Sequence, residues 1–130
     1  MPMGNPVIGR PQITSGFGQR THPIHQTILM HYGLDISVPT GTDVFTTATG
    51  IVRELKNDSG CGLGIRITHA NGYETEYCHL SRQLVHVGEQ VGAGCRIGLS
   101  GNTGLSTGPH LHYGIRHNGQ YINPIQTLNH

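Results

Sequence analysis

The side chains that could do chemistry in this chain are its histidines, which number 10 and outnumber the 8 lysines and arginines together. His31 and Asp35 stand four residues apart, an even spacing that sets both side chains on one face of an extended segment. Gly33 and the following Ile36-Ser37-Val38-Pro39 favour that extended form over a helix. His110-Leu111-His112 again puts two imidazoles on one face of a strand. Imidazole nitrogen and carboxylate oxygen are donors that zinc prefers. His79, in Tyr77-Cys78-His79-Leu80, stands apart from both pairs. No histidine is directly followed by glutamate, so the glutamate base of helical metallopeptidases is missing. A further imidazole can fill that role, because its ordinary pKa lies at about 6.5.

Strands must position these groups, since no window keeps a helical period without an interrupting Gly or Pro. Short strands are predicted at Val44–Ala48, Ile51–Lys56, Ile65–His69, Tyr73–His79, Arg96–Leu99, His110–His117 and Gln120–Ile122. Asn71-Gly72 and Asn118-Gly119 are two-residue hairpin signals. Ser100–Pro109 reads as a glycine- and hydroxyl-rich loop leading into the last long strand. If Ala70 faces Tyr73 across the first turn, counting outward sets His79 opposite Gly64. Gly60-Cys61-Gly62-Leu63-Gly64 would then lie beside His79, either as open space for an extended peptide or as a loop needing positive φ. The fold class expected is an all-β, antiparallel sheet core with long loops forming a groove and little or no helix. Residues 1–12, with Pro2, Pro6 and Pro11, are expected as a loose lead-in, and 13–130 as one domain.

Composition narrows the function. The formal charge is +1, and 5% of residues are aromatic, so neither a basic face nor a stacking platform for nucleic acid is expected. No apolar run approaches the roughly 18 residues that span a bilayer, and the first residues lack a signal-like apolar stretch. Cys61, Cys78 and Cys95 form no Cys-x-x-Cys pair, which excludes a thiolate zinc knuckle. Buried free thiols are the expectation, with one pairing as the reading for an oxidising compartment. Cys78 and His79 are adjacent, so strand alternation would turn them to opposite faces and keep Cys78 away from a metal.

The ordered set Ser15-Gly16-Phe17-Gly18-Gln19-Arg20-Thr21-His22-Pro23, His31-x-x-x-Asp35, Tyr77-Cys78-His79-Leu80-Ser81 and Ser106-Thr107-Gly108-Pro109-His110-Leu111-His112 resembles the lysostaphin-like (LytM-type) zinc metallopeptidases. These cleave bacterial cell-wall peptides and carry a fold of the duplicated hybrid motif type. The resemblance runs from about Ser15 to Pro124. It implies one Zn2+ held by His31, Asp35 and His112, with His79 and His110 as the catalytic pair. Three protein donors leave a fourth position open, where zinc lowers the pKa of a water and polarises the scissile carbonyl. One of His79 and His110 would then take a proton while the other stabilises the oxyanion or protonates the leaving amine. If His110 ligated as well, the site would be closed and structural. Cys78 stands where family members commonly carry glycine.

The stretch around Arg20 resembles the branch that cuts D-alanyl–meso-diaminopimelate cross-links, where Arg20 could pair with a substrate carboxylate. Glycyl-glycine hydrolysis is the enzyme alternative. A non-catalytic domain that binds the wall or activates its hydrolases, and a structural zinc module, are the other classes. The expected partners are peptidoglycan stem peptides, and the expected state is a monomer. The resemblance places the protein in the periplasm or outside the cell, as a processed or excised domain or one delivered by a phage or conjugation system.

Overall fold

The computed structural model describes residues 6–7, 13–15, 18–21, 28–31, 33–104, 106 and 108–124, and for 14–15, 18–21 and 28–31 the backbone alone. Among the described residues there are twelve strands and no α-helix. The first four are β1 (Ile13–Ser15), β2 (Gly18–Thr21), β3 (Ile28–His31) and β4 (Leu34–Ser37). Next come β5 (Asp43–Phe45), β6 (Gly50–Asp58), β7 (Gly62–Thr68) and β8 (Tyr73–Gln83). The chain continues through β9 (Gln90–Val91), β10 (Arg96–Ser100), β11 (His110–His117) and β12 (Gln120–Ile122). The all-β antiparallel reading holds.

One sheet runs β1-β4-β11-β8-β7-β6-β9, with β12 beside β11 and β5 beside β10, while β2 and β3 form a separate pair. Alternation explains which side of the central strands is buried. In β11, Leu111, Tyr113 and Ile115 are fully buried, whereas His110 and His112 are half-buried. In β4, Leu34 and Ile36 are buried while Asp35 is only partly so. Val44, Val52, Ile65, Ile67, Tyr77, Leu80 and Ile97 complete the centre of the core. Each such aliphatic side chain contributes about 1.5–3 kcal/mol by leaving water. Hydroxyls buried among them are paired: Thr47 Oγ1 lies 2.8 Å from the Tyr113 hydroxyl, and the Tyr77 hydroxyl accepts from Thr47 N at 3.3 Å.

Most of the predicted strands fall where their patterns place them, and β11 and β12 have the expected ends. Three differences bear on function. First, His31 and Asp35 do not share one extended segment, because β3 and β4 belong to different sheets and the chain bends at Gly33. Second, the first hairpin closes through Asn71 (φ 62°) and Gly72 (φ 80°), but Thr68 pairs with Glu74, one residue off the simple count. Third, Pro6 and Val7 are docked: Phe45 N donates to Pro6 O at 2.8 Å, and Val7 is buried. The rest of residues 1–12 lies outside the described residues.

Candidate active site

The strand order itself gathers the histidines. β8 changes neighbours along its length, with Tyr73–Cys78 pairing β11 and Leu80–Gln83 pairing β10. His79 is the residue between, and its backbone is left-handed at φ 65°. On the other side of β8, Leu63 pairs with Leu80 and Ile65 with Tyr77. Cys78 and His79 therefore share the place opposite Gly64, a β-bulge that re-aims a side chain where pairing changes. The count that set His79 against Gly64 is right in place, although the bulge absorbs the slipped register. The loop joining β10 to β11 leaves from this same gap, bridged at its base by Gly101 and His110.

Asp35, His112 and Cys78 are direct partners across β4, β11 and β8. Directly opposed residues share one face of a sheet. Asp35 Oδ1 and His112 Nδ1 approach to 3.1 Å. With a proton on Nδ1 this contact is a hydrogen bond to the carboxylate. Without it, these are two donors spaced nearly as two corners of a tetrahedron built on bonds of about 2.0 Å, roughly 3.3 Å apart. The oxygen and nitrogen set also suits zinc. The far side of the His112 ring rests on Gly33, where a Cβ would come within 2.8 Å of Nε2 and 2.6 Å of Tyr113 O. Glycine at 33 is what lets the chain pass.

His79 and His110 are held differently. The Nδ1–H of His79 donates to Thr103 O at 2.7 Å, and that of His110 to Gly108 O at 2.8 Å, with Ser106 Oγ at 3.1 Å from the same His110 nitrogen. A carbonyl can only accept, so a proton sits on Nδ1 of each ring, and Nε2 is the atom left to gain or lose one. Their centroids are 4.6 Å apart, and His79 lies 6.2 Å from His112. His110 Nε2 is 3.7 Å from Asp35 Oδ1. Burial lowers the pKa of His79 below its ordinary value, opposed by the Thr103 carbonyl and reinforced by His110 and His112. A neutral, buried imidazole is ready to take up a proton.

The structure thus brings together four of the site residues expected from sequence: Asp35, His112, His79 and His110. The side chains of His31 and Arg20 lie outside the described residues. The backbone of His31 ends β3, two residues before Gly33. Among the described residues no group of three His, Cys, Asp or Glu gathers as a metal site.

The cysteine expectation is corrected. Cys61 and Cys78 form a disulfide with Cα atoms 4.9 Å apart, and the free Cys95 is exposed rather than buried. Cys78 also shares the row of Asp35 and His112, because its ladder to β11 is regular and the bulge re-aims His79 rather than Cys78. The glycine loop is not open beside His79. A Cβ on Gly64 would meet Cys61 Sγ, and one on Gly62 would come within 2.5 Å of Thr103 Oγ1. Thr103, Ser106 and Gly108, which anchor the two imidazoles, went unassigned. Their signal was the hydroxyl-rich loop that leads into β11.

An all-β domain with an Asp–His pair beside two carbonyl-anchored imidazoles offers the oxygen and nitrogen donors and the proton-exchanging groups that a metal-dependent hydrolase uses. Residues 29–124 match Peptidase family M23, and the chain belongs to that family. It is 43% identical over 122 residues to the peptidoglycan DD-endopeptidase ShyA of Vibrio cholerae serotype O1, covering 93% of this chain and 28% of that protein. The DD-carboxypeptidase/endopeptidase Mpg of Neisseria meningitidis serogroup B is 46% identical over 114 residues, covering 88% of this chain and 26% of Mpg. A solved zinc-containing peptidase from Vibrio cholerae superposes with a TM-score of 0.90 at 35% identity, over 95% of this chain and 39% of that one. The chain therefore spans about a quarter of these curated relatives. No helix among the described residues is long and apolar enough to cross a membrane.

Proposed function

We propose that this chain is a zinc-dependent peptidoglycan endopeptidase that hydrolyses D-alanyl–meso-diaminopimelate cross-links, with residues 13–130 as its catalytic domain. The observation that carries the reading is the 3.1 Å approach of Asp35 Oδ1 to His112 Nδ1 beside two imidazoles whose Nδ1 atoms are committed to carbonyls. Membership of Peptidase family M23 and the named activities of ShyA and Mpg support the substrate class. The cell envelope, reached as a monomer, is the place of action that fits this substrate.

Asp35 and His112 would hold the ion together with His31. When bound, zinc supplies Lewis acidity and lowers the pKa of a water towards neutrality. The protein's own contribution is proton handling. Nε2 of one of His79 and His110 takes the proton of the attacking water. The other ring, entering as the imidazolium with a second proton on Nε2, stabilises the oxyanion and passes that proton to the leaving amine. Thr103 and Gly108 carbonyls hold a proton on Nδ1 of each ring and so leave Nε2 as the atom that exchanges. Arg20 would pair with a stem-peptide carboxylate.

The test is removal of the ion by a chelator while unfolding and muropeptide release are both followed. This reading expects cleavage to stop with the fold intact and to return on adding zinc. Melting on chelation would make the ion a structural staple, and the absence of cleavage in every state would make the domain a binding module.

A further inference from the structure

The bulge that turns His79 into the site is held from one side by the segment Asp58–Gly62. His79 N donates to Cys61 O at 2.7 Å. Asp58 Oδ1 accepts from Gly60 N at 3.0 Å and Cys61 N at 2.7 Å, which folds the segment back on itself. Thr103, whose carbonyl holds the His79 ring, is tied to the next residues. Its hydroxyl accepts from Leu63 N at 3.1 Å and donates to Leu80 O at 2.6 Å. Backbone and ring of His79 thus both depend on where Cys61–Leu63 sits. The covalent part of this clamp is the bond from Cys61 to Cys78, the residue immediately before His79. It occupies the space over Gly64, where a Cβ would also lie 3.0 Å from Tyr77 O. A left-handed backbone is unfavourable for any residue with a Cβ, so it persists only where its surroundings over-determine it.

We infer that the Cys61–Cys78 disulfide is a positioning element for His79, and that opening it disables proton transfer while leaving the metal donors and the fold in place. The inference rests on His79 acting in the hydrolysis proposed above. Asp35 and His112 are joined through β4 and β11, neither of which pairs with the Asp58–Gly62 segment, and the pairing of His112 with Cys78 belongs to the regular β8–β11 ladder that runs to Tyr73. Opening the bond takes two electrons and two protons. A trialkylphosphine supplies the electrons: phosphorus attacks one sulfur, water hydrolyses the resulting phosphonium, oxygen stays on phosphorus as the phosphine oxide, and each cysteine sulfur ends as a thiol.

The experiment compares oxidised, phosphine-reduced and Cys61→Ser/Cys78→Ser protein, all carrying Cys95→Ser so that no other thiol exchanges. Four quantities are read: sheet circular dichroism, zinc content, the imidazole NMR signal of His79 Nδ1–H, and kcat with KM on muropeptides. Opening the bond should leave the first two unchanged and abolish the exchange protection of His79 Nδ1–H. It should lower kcat at least about tenfold with KM within about threefold, the pattern of a lost transition-state interaction. In a His79→Ala background, opening the bond should change kcat less than about twofold, because the effect runs through that ring. An unchanged His79 signal, an equal loss in the His79→Ala background, or loss of the sheet on reduction would each overturn the inference. A chain that cleaves nothing in any state defeats the proposed activity instead, and the His79 signal still decides the role of the disulfide.

Discussion

The β7–β8 hairpin carries a buried histidine at each end, and the two are anchored alike. His69 Nδ1 donates to Thr49 O at 2.9 Å and His79 Nδ1 to Thr103 O at 2.7 Å. The two residues are 8% and 7% exposed, and burial lowers the pKa of both. They differ at the other nitrogen. His69 Nε2 accepts from the Thr75 hydroxyl at 2.8 Å, so every polar atom of that ring is used. The rest of the His79 ring instead faces His110 and His112. Burial and a depressed pKa therefore do not mark a reactive imidazole. What separates the two is whether the basic nitrogen is committed to a structural donor or directed at other chemistry.

The comparison breaks most sharply on substitution. His79→Ala should keep zinc and lose turnover by at least about 10²-fold, the usual worth of an acid–base group. His69→Ala should leave turnover within a few-fold. Metal analysis and muropeptide release on both variants check this, and zinc loss from His79→Ala would move that residue from proton transfer to ligation. Stability should show the reverse order. His69→Ala strands the buried Thr75 hydroxyl and should cost about 1–3 kcal/mol in denaturant unfolding. Thr75→Val removes only the donor to Nε2 and should cost about 1 kcal/mol in the same experiment.

A smaller effect follows from pH. Because His69 titrates below its ordinary value in the folded chain, the unfolded chain binds more protons in the window between the two pKa values. Its contribution to stability is complete above a pH of about 6.5 and is lost as pH falls from there through the folded value. Denaturant midpoints across that window should fall less steeply for His69→Gln than for the native chain.

How much of this was legible in the sequence depends on whether the signal was local. The even spacing of His110 and His112 fixed their shared face, and β11 begins and ends at His110 and His117 as its pattern suggests. The Asn71-Gly72 turn was visible because both residues tolerate positive φ. The bulge at His79 was not, because a left-handed histidine has no signature in its own residue type. It arises where β8 passes from β11 to β10, a property of strand order. The Cys61–Cys78 bond was hidden for the same reason. Counted from a His79 that faces the site, alternation turns Cys78 away, whereas the ladder to β11 keeps Cys78 on the face of His112 and the bulge re-aims His79. His31 and Asp35 look like one extended unit in sequence because the bend at Gly33 answers to the His112 ring, a contact across 79 residues of chain.

The account turns on Asp35 and His112 as donors beside a His110 that stays off the ion. Zinc stoichiometry of His110→Ala, measured together with its muropeptide turnover, tests this most directly. One zinc retained per chain, with turnover down by at least about 10²-fold, is the result expected. Loss of the zinc would make His110 a fourth protein ligand and the site a closed structural one.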